Sequence, residues 1–301
     1  MIKTYILLIT VMLLWGFNVS ALKVLVSAID PVLLTAVRIG TAGICVLIIS
    51  VFLNIFRLPT KSEWKTIGLI TIFNVIIHHT FLALGLERTS GVNAGLILGT
   101  APLITIMLSV IFLRDRVTRL RTLGFISGFI GIAITTLIGS SGFSTVSIGD
   151  GFVFISIFCQ ALSFILISKL NPSFDPRLLT GYMLLLGAVC ILIFNILFID
   201  PNLNQLTKLF SWKLGLVFLF SAVLCTAFGH MVYNLAIKQV GPSETTIFIN
   251  LNTFFVLLGS ALFLNETIYL KHFIGLLFIL FGVVAGTGTL EQLLEKRKQS
   301  A

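Results

Sequence analysis

Ten stretches of about twenty mostly apolar residues follow one another along a chain of 301 residues. They lie near 4–26, 31–53, 66–86, 91–113, 120–139, 149–168, 176–199, 213–236, 242–264 and 269–289. About 20 apolar residues carry a helix across the hydrocarbon core. Inside lipid every backbone polar group must find an internal partner, which leaves helices or closed barrels. The runs predict an all-α integral membrane protein with ten transmembrane helices. The longest connections, near 58–65 and 200–212, are too short for a soluble domain. Any function must therefore lie within the bundle. The first run begins at Lys3 and is followed by Val26-Ser27-Ala28, which loosely resembles a cleavage site. Its apolar stretch is about twice the length of a signal core, and Asn18 and Ser20 interrupt it, so a retained first helix is expected.

Composition agrees. Charged residues make up 10 % of the chain, where a soluble domain carries roughly 25 %. A soluble enzyme, a disordered chain and a nucleic-acid-binding domain are excluded. The net charge of +9 has another origin. With the N-terminus in the cytoplasm, fourteen of the 20 Lys and Arg fall on cytoplasmic segments, among them Arg57, Lys61 and Lys65, Arg114 to Arg121, and Lys296 to Lys298. Five, namely Lys23, Arg88, Lys208, Lys213 and Lys271, fall outside, and Arg38 lies within a helix. The positive-inside bias predicts two cytoplasmic termini in a bacterial-type plasma membrane. Cys45, Cys159, Cys190 and Cys225 sit in apolar runs with no CxxC, and are read as small apolar residues.

The chain repeats itself. Asp30-Pro31-Val32-Leu33-Leu34-Thr35 matches Asp175-Pro176-Arg177-Leu178-Leu179-Thr180 at an offset of 145. A gapless offset of 151 pairs His79 with His230, Asp115 with Glu266, Gly124 with Gly275, and Gly131 with Gly282. The halves are 1–140 and 147–290, followed by a cytoplasmic tail at 291–301. Five helices per half is an odd number, so the second half enters the membrane from the opposite side. Inverted repeats are a transporter feature, with the site near the midplane between the halves.

Trp15-Gly16-Phe17-Asn18 with Lys23, then Thr89-Ser90, Ala101-Pro102-Leu103, Asp115-Arg116 and Gly124, with Glu266 and Gly275 in the second half, resemble the drug/metabolite transporter superfamily in its EamA-like branch. The resemblance runs over nearly the whole chain. It implies that the first, third, fourth, sixth, eighth and ninth helices line a central cavity. Thr253 stands where the second half of the family usually has proline, so a helix break is not implied there.

The candidate site residues are those polar and aromatic groups inside the runs. His79 and His230 each lie roughly 10 Å from a helix end at about 1.5 Å per residue, near the midplane and on opposite sides of it. Imidazole titrates near neutral pH, so the pair can bind a polar substrate or carry a proton. Ordinary helix-to-helix hydrogen bonding is the competing reading. Trp15 and Asn18, their rough counterparts Gln160 and Ser163, Asn234 one turn after His230, and Asn252 complete the substrate-binding set. His78 has no counterpart and ranks below them. Glu244 follows Gly241-Pro242-Ser243 and either stabilises a helix start or couples a proton. Asp30 and Asp175 read as helix caps with proline at the first helical position. Asp115 and Glu266 read as organisers of their turns. Arg38 is an ionised group inside a helix, either snorkelling or functional. Gly95/Gly99, Gly124/Gly128 and Gly282/Gly286 have the spacing that lets helices approach closely, and point to packing within a monomer.

No nucleotide-binding, metalloprotease or cofactor motif occurs, and no metal or cofactor is expected. Scattered His and Asn do not make a nucleophile with its base, so an intramembrane enzyme is disfavoured. The sequence predicts a secondary active transporter of a small polar metabolite, an amino acid or derivative, working as an exporter. The alternative is a multidrug exporter of lipophilic cations, which needs a membrane-embedded acid, and the first helix has Asn18 instead.

Overall fold

The computed structural model of the protein describes residues 2–113, 118–139, 142–143, 147–171, 173–199 and 202–286. These form α1 (Ile2–Val26), α2 (Pro31–Phe52), α3 (Lys61–Arg88), α4 (Gly91–Phe112), α5 (Arg119–Leu137), α6 (Ile148–Ser168), α7 (Pro176–Phe198), α8 (Trp212–Val240), α9 (Thr245–Phe263) and α10 (Leu270–Gly286). Among the described residues eight helices are long and apolar enough to cross a membrane. The other two apolar helices are shorter, over Thr122–Gly131 and Leu270–Ala285, so the expected ten spans are eight by this measure. The chain is a multi-pass membrane protein. Its only extended pairing among the described residues joins Ile138–Gly139 to Gly142–Phe143. The expected long connections are partly helical, since α3 already begins at Lys61 and Leu203–Phe210 winds into a 3₁₀ helix.

Local chemistry sets the helix starts. The Asp30 carboxylate accepts from the backbone N–H groups of Val32 and Leu33 at 3.0 and 2.8 Å, and Asp175 accepts from that of Arg177 at 2.8 Å. Proline at the next position costs nothing there, because the first N–H of a helix has no intrahelical partner. Thr60 with Glu63 and Ser147 with Asp150 close capping boxes on α3 and α6. Glu266 does more than organise its own turn. Its two oxygens accept from the N–H groups of Gly91 and Val92 at 2.8 and 2.9 Å, capping α4 from the other half of the chain. Asp115 lies outside the described residues.

α2 packs along α7 and α5 along α10, while α1 lies against α8 and α9, and α6 against α3 and α4. The α5–α10 seam depends on glycine. A Cβ on Gly131 would sit 2.7 Å from the Gly275 carbonyl oxygen, and one on Gly282 would sit 2.7 Å from that of Gly124. Between these contacts the Ser127 hydroxyl donates to the Phe278 carbonyl at 3.0 Å. α2 and α7 are equally close at Gly43, where a Cβ would lie 2.7 Å from the Leu185 nitrogen. α4 is interrupted at Gly99–Thr100, just before Pro102, whereas α9 has its turn earlier, at Phe248, and is helical from Ile249 through Thr253. Outward faces carry apolar side chains such as Phe52, Leu197, Phe198 and Leu277, which suit lipid. Cys190 is exposed among them, against the expectation of burial; its surroundings on that face are apolar rather than core.

Candidate functional site

Two helices of the bundle change winding inside the membrane-spanning stretch. Thr71–Ile77 in α3 and Phe220–Phe228 in α8 form wide π turns, 151 residues apart in register. Such turns recur at functional sites because they re-aim the side chains that follow. Here they are followed at once by His78-His79 and by Gly229-His230. The two repeat-related histidines meet: their rings lie 5.2 Å apart in an edge-on arrangement. α3 and α8 thus bring to one place two residues that the repeat relates.

His79 and His230 line a cavity of about 60 Å³, together with Trp15 and Asn18 of α1, Gln160 of α6 and Asn252 of α9. Its walls come from α1, α3, α4, α6, α8 and α9. That volume holds a few waters. Trp15 donates its indole N–H to the Cys225 carbonyl at 2.8 Å and lies 4.9 Å from the His230 ring. Four buried polar atoms of the lining have no partner: Asn18 Oδ1, His79 Nε2, His230 Nδ1 and Asn252 Oδ1. Buried polar atoms are almost always paired, so a cluster of orphans marks a place where water or a ligand is received.

Two expected members do not reach the cavity. Ser163 donates to the Gln160 carbonyl at 2.6 Å and accepts from Asn74 at 2.7 Å. Asn234 donates to Thr180 at 2.8 Å. Both sit behind the wall, because one helical turn beyond a lining residue already belongs to the next helix contact. The Glu244 side chain lies outside the described residues. His78 was underestimated by its lack of a repeat partner. It lines the cavity, contacts Ser156 Oγ at 2.7 Å and Gln160 Nε2 at 2.9 Å, and stacks 4.6 Å from His79. Thr226 and Cys225 are lining residues with no signal in the sequence beyond their place near the π turn.

Arg38 does not snorkel. It is 1 % exposed, deep between α2, α3 and α8. Its Nη1 donates to Thr226 Oγ1 at 2.5 Å and its Nη2 lies 3.4 Å from His79 Nδ1. A guanidinium can only donate, so Nδ1 of His79 must accept and the ring proton resides on Nε2. Among the described residues no group of His, Cys, Asp and Glu is arranged to hold a metal.

Outside the cavity lining, two lysines tie helices together through carbonyl oxygens. Lys23 donates to Leu86 at 2.9 Å and to Thr89, joining α1 to the end of α3. Lys238 of α8 donates to the carbonyl oxygens of Asn171 at 3.2 Å and Phe174 at 2.7 Å, just beyond α6.

The model of the EamA-like transporter family matches the chain twice, over residues 2–137 and 147–286. The uncharacterized transporter YyaM of Bacillus subtilis is 27 % identical over 299 residues, covering 96 % of this chain and 95 % of its own. An uncharacterized transporter of Archaeoglobus fulgidus is 24 % identical, covering 93 % and 97 %. The WAT1-related protein At3g02690, chloroplastic, of Arabidopsis thaliana is 22 % identical, covering 89 % and 65 %. One solved crystal structure superposes with a TM-score of 0.65 at 16 % identity, covering 97 % and 98 %, and shares the fold.

Proposed function

The chain belongs to the EamA-like transporter family, in the drug/metabolite transporter superfamily, and on that premise we propose a secondary active transporter that exports a small polar metabolite by alternating access. Its family is one of transporters and not of enzymes. The metabolite is an amino acid or derivative. The observation that carries this reading is the cavity between six helices, with four orphaned polar atoms and Trp15 on its wall.

The cavity of about 60 Å³ is smaller than the roughly 300–1,000 Å³ of a ligand site, so receiving a metabolite requires it to widen. In this reading, opening on either side releases one lysine contact, Lys23 on Leu86 and Thr89 or Lys238 on Asn171 and Phe174, while the other holds. The inverted repeat supports this. Gly124 corresponds to Gly275 and Gly131 to Gly282, and the contacts Gly131–Gly275 and Gly282–Gly124 are each other's image under that exchange. Ser127 bonds to its own counterpart Phe278, as a residue beside a two-fold axis does. Two equivalent halves give an outward-open state and an inward-open state of nearly equal energy. Both termini are placed in the cytoplasm, on the charge bias of the loops. A reporter fused after Ala301 should be active only as a cytoplasmic tag, and activity outside the membrane would reverse the orientation.

Uptake into proteoliposomes tests the function. Radiolabelled amino acids and the lipophilic cation tetraphenylphosphonium are offered with and without an imposed pH gradient. Saturable amino-acid uptake above protein-free liposomes is expected. Uptake of the cation alone would support the multidrug reading instead.

A further inference from the structure

Arg38 is a buried cation with no counter-ion among the described residues. Arginine keeps its charge in proteins, and a buried charge is costly unless paired. Each of the six carboxylates with a described side chain is already held at a helix end: Asp30 on Val32 and Leu33, Glu63 on Arg57, Glu87 against Arg88, Asp150 on Thr89, Asp175 on Arg177 and Glu266 on α4. Among the described residues Arg38 has hydrogen-bonding contacts with Thr226 and His79 only, and its Nε is buried with no partner. Both of those contacts are neutral or can be, and both line the cavity. The positive charge therefore stands one side chain behind the wall. It also fixes the proton of His79 on Nε2, which has no partner. The wall presents an N–H donor backed by a full positive charge.

We infer that Arg38 selects the charge of the transported molecule: acting through His79, it makes the cavity a receptor for a group with a single negative charge, a carboxylate. One guanidinium balances one carboxylate, whereas a phosphate would leave uncompensated charge in a low-dielectric site. A lipophilic cation would be repelled. The inference rests on the transporter reading above and narrows its substrate to carboxylate-bearing molecules. Arg38 is a positioning and charge-selecting residue, since His79 makes the contact.

The test uses wild type, Arg38→Lys and Arg38→Gln in proteoliposomes. Each is offered a mixture of isotopically labelled amino acids, the matching amino-acid amides, and glycerol phosphate. Internal contents are then measured by mass spectrometry. Wild type should take up amino acids at least about tenfold over their amides, the loss expected when a charge-assisted hydrogen bond in a desolvated site is removed. Arg38→Lys, which keeps the charge, should retain that preference, and Arg38→Gln should reduce it to near parity. Wild-type uptake of amides equal to that of the acids would overturn the inference without any variant. So would an unchanged preference in Arg38→Gln, or entry of glycerol phosphate alone. Entry of none of the probes would instead count against the transporter reading itself, and the charge assignment would fall with it.

Discussion

At the scale of single residues the arrangement is a chain of constraints that begins with one guanidinium. Arg38 can only donate, so His79 must accept on Nδ1 and offer Nε2–H. His79 then meets His230, whose face is covered by Trp15. Replacing His79 or His230 with Ala should slow transport about tenfold or more, since losing a hydrogen bond in a dry site costs about 1–3 kcal/mol. Gln at either position keeps a donor and an acceptor and should lose less. If the pair also carries the proton, Gln should abolish gradient-driven transport and leave substrate exchange intact. Transport at wild-type rates in both folded Ala variants would reduce the histidines to helix packing. His79, His230, Trp15, Asn18, Gln160 and Asn252 were legible as lining residues, because a polar group within an apolar run must face protein or a cavity. Ser163 and Asn234 were not separable from them: periodicity assigns a helix face but not the depth of the wall. The partner of Arg38 was out of reach for the same reason, since Thr226 sits 188 residues away.

At the scale of helices, the seam between α5 and α10 is a contact of backbones. A side chain at Gly131 or Gly282 would collide with a carbonyl oxygen 2.7 Å away, and backbone cannot rotate aside. Gly131→Val and Gly282→Val should each cost about 1–3 kcal/mol through overpacking, read as a lower melting temperature in detergent. Gly151→Ala, where a Cβ meets nothing within 4 Å, serves as the control and should melt with wild type. Equal melting of all three would mean that the seam does not hold the halves together. The sequence showed Gly124, Gly128 and Gly282 as close-approach positions from their spacing, and Gly131 only as the repeat partner of Gly282. It did not show that they face one another across the halves, because that needs the packing of five helices against five. Nor did it show the π turns in α3 and α8, whose extra residue per turn leaves no mark in hydropathy. The helix starts were plain, because Asp-Pro acts within its own turn.

At the scale of the whole molecule, the fold class was written in the hydrophobic runs, and eight of the ten expected spans meet the length and apolarity of a membrane crossing among the described residues. In the proposed transport cycle one cavity is exposed to the two faces of the membrane in turn, and the Lys23 and Lys238 contacts with carbonyl oxygens are proposed to release alternately. The direct measurement is accessibility of Asn18→Cys in a chain whose four native cysteines are replaced by Ser. A membrane-impermeant thiol reagent is applied to right-side-out and to inside-out vesicles. The claim predicts labelling from either face. Lys23→Ala should speed labelling from outside and slow it from inside, and Lys238→Ala should do the reverse. Labelling from one face only, at a rate neither lysine variant changes, would contradict alternating access.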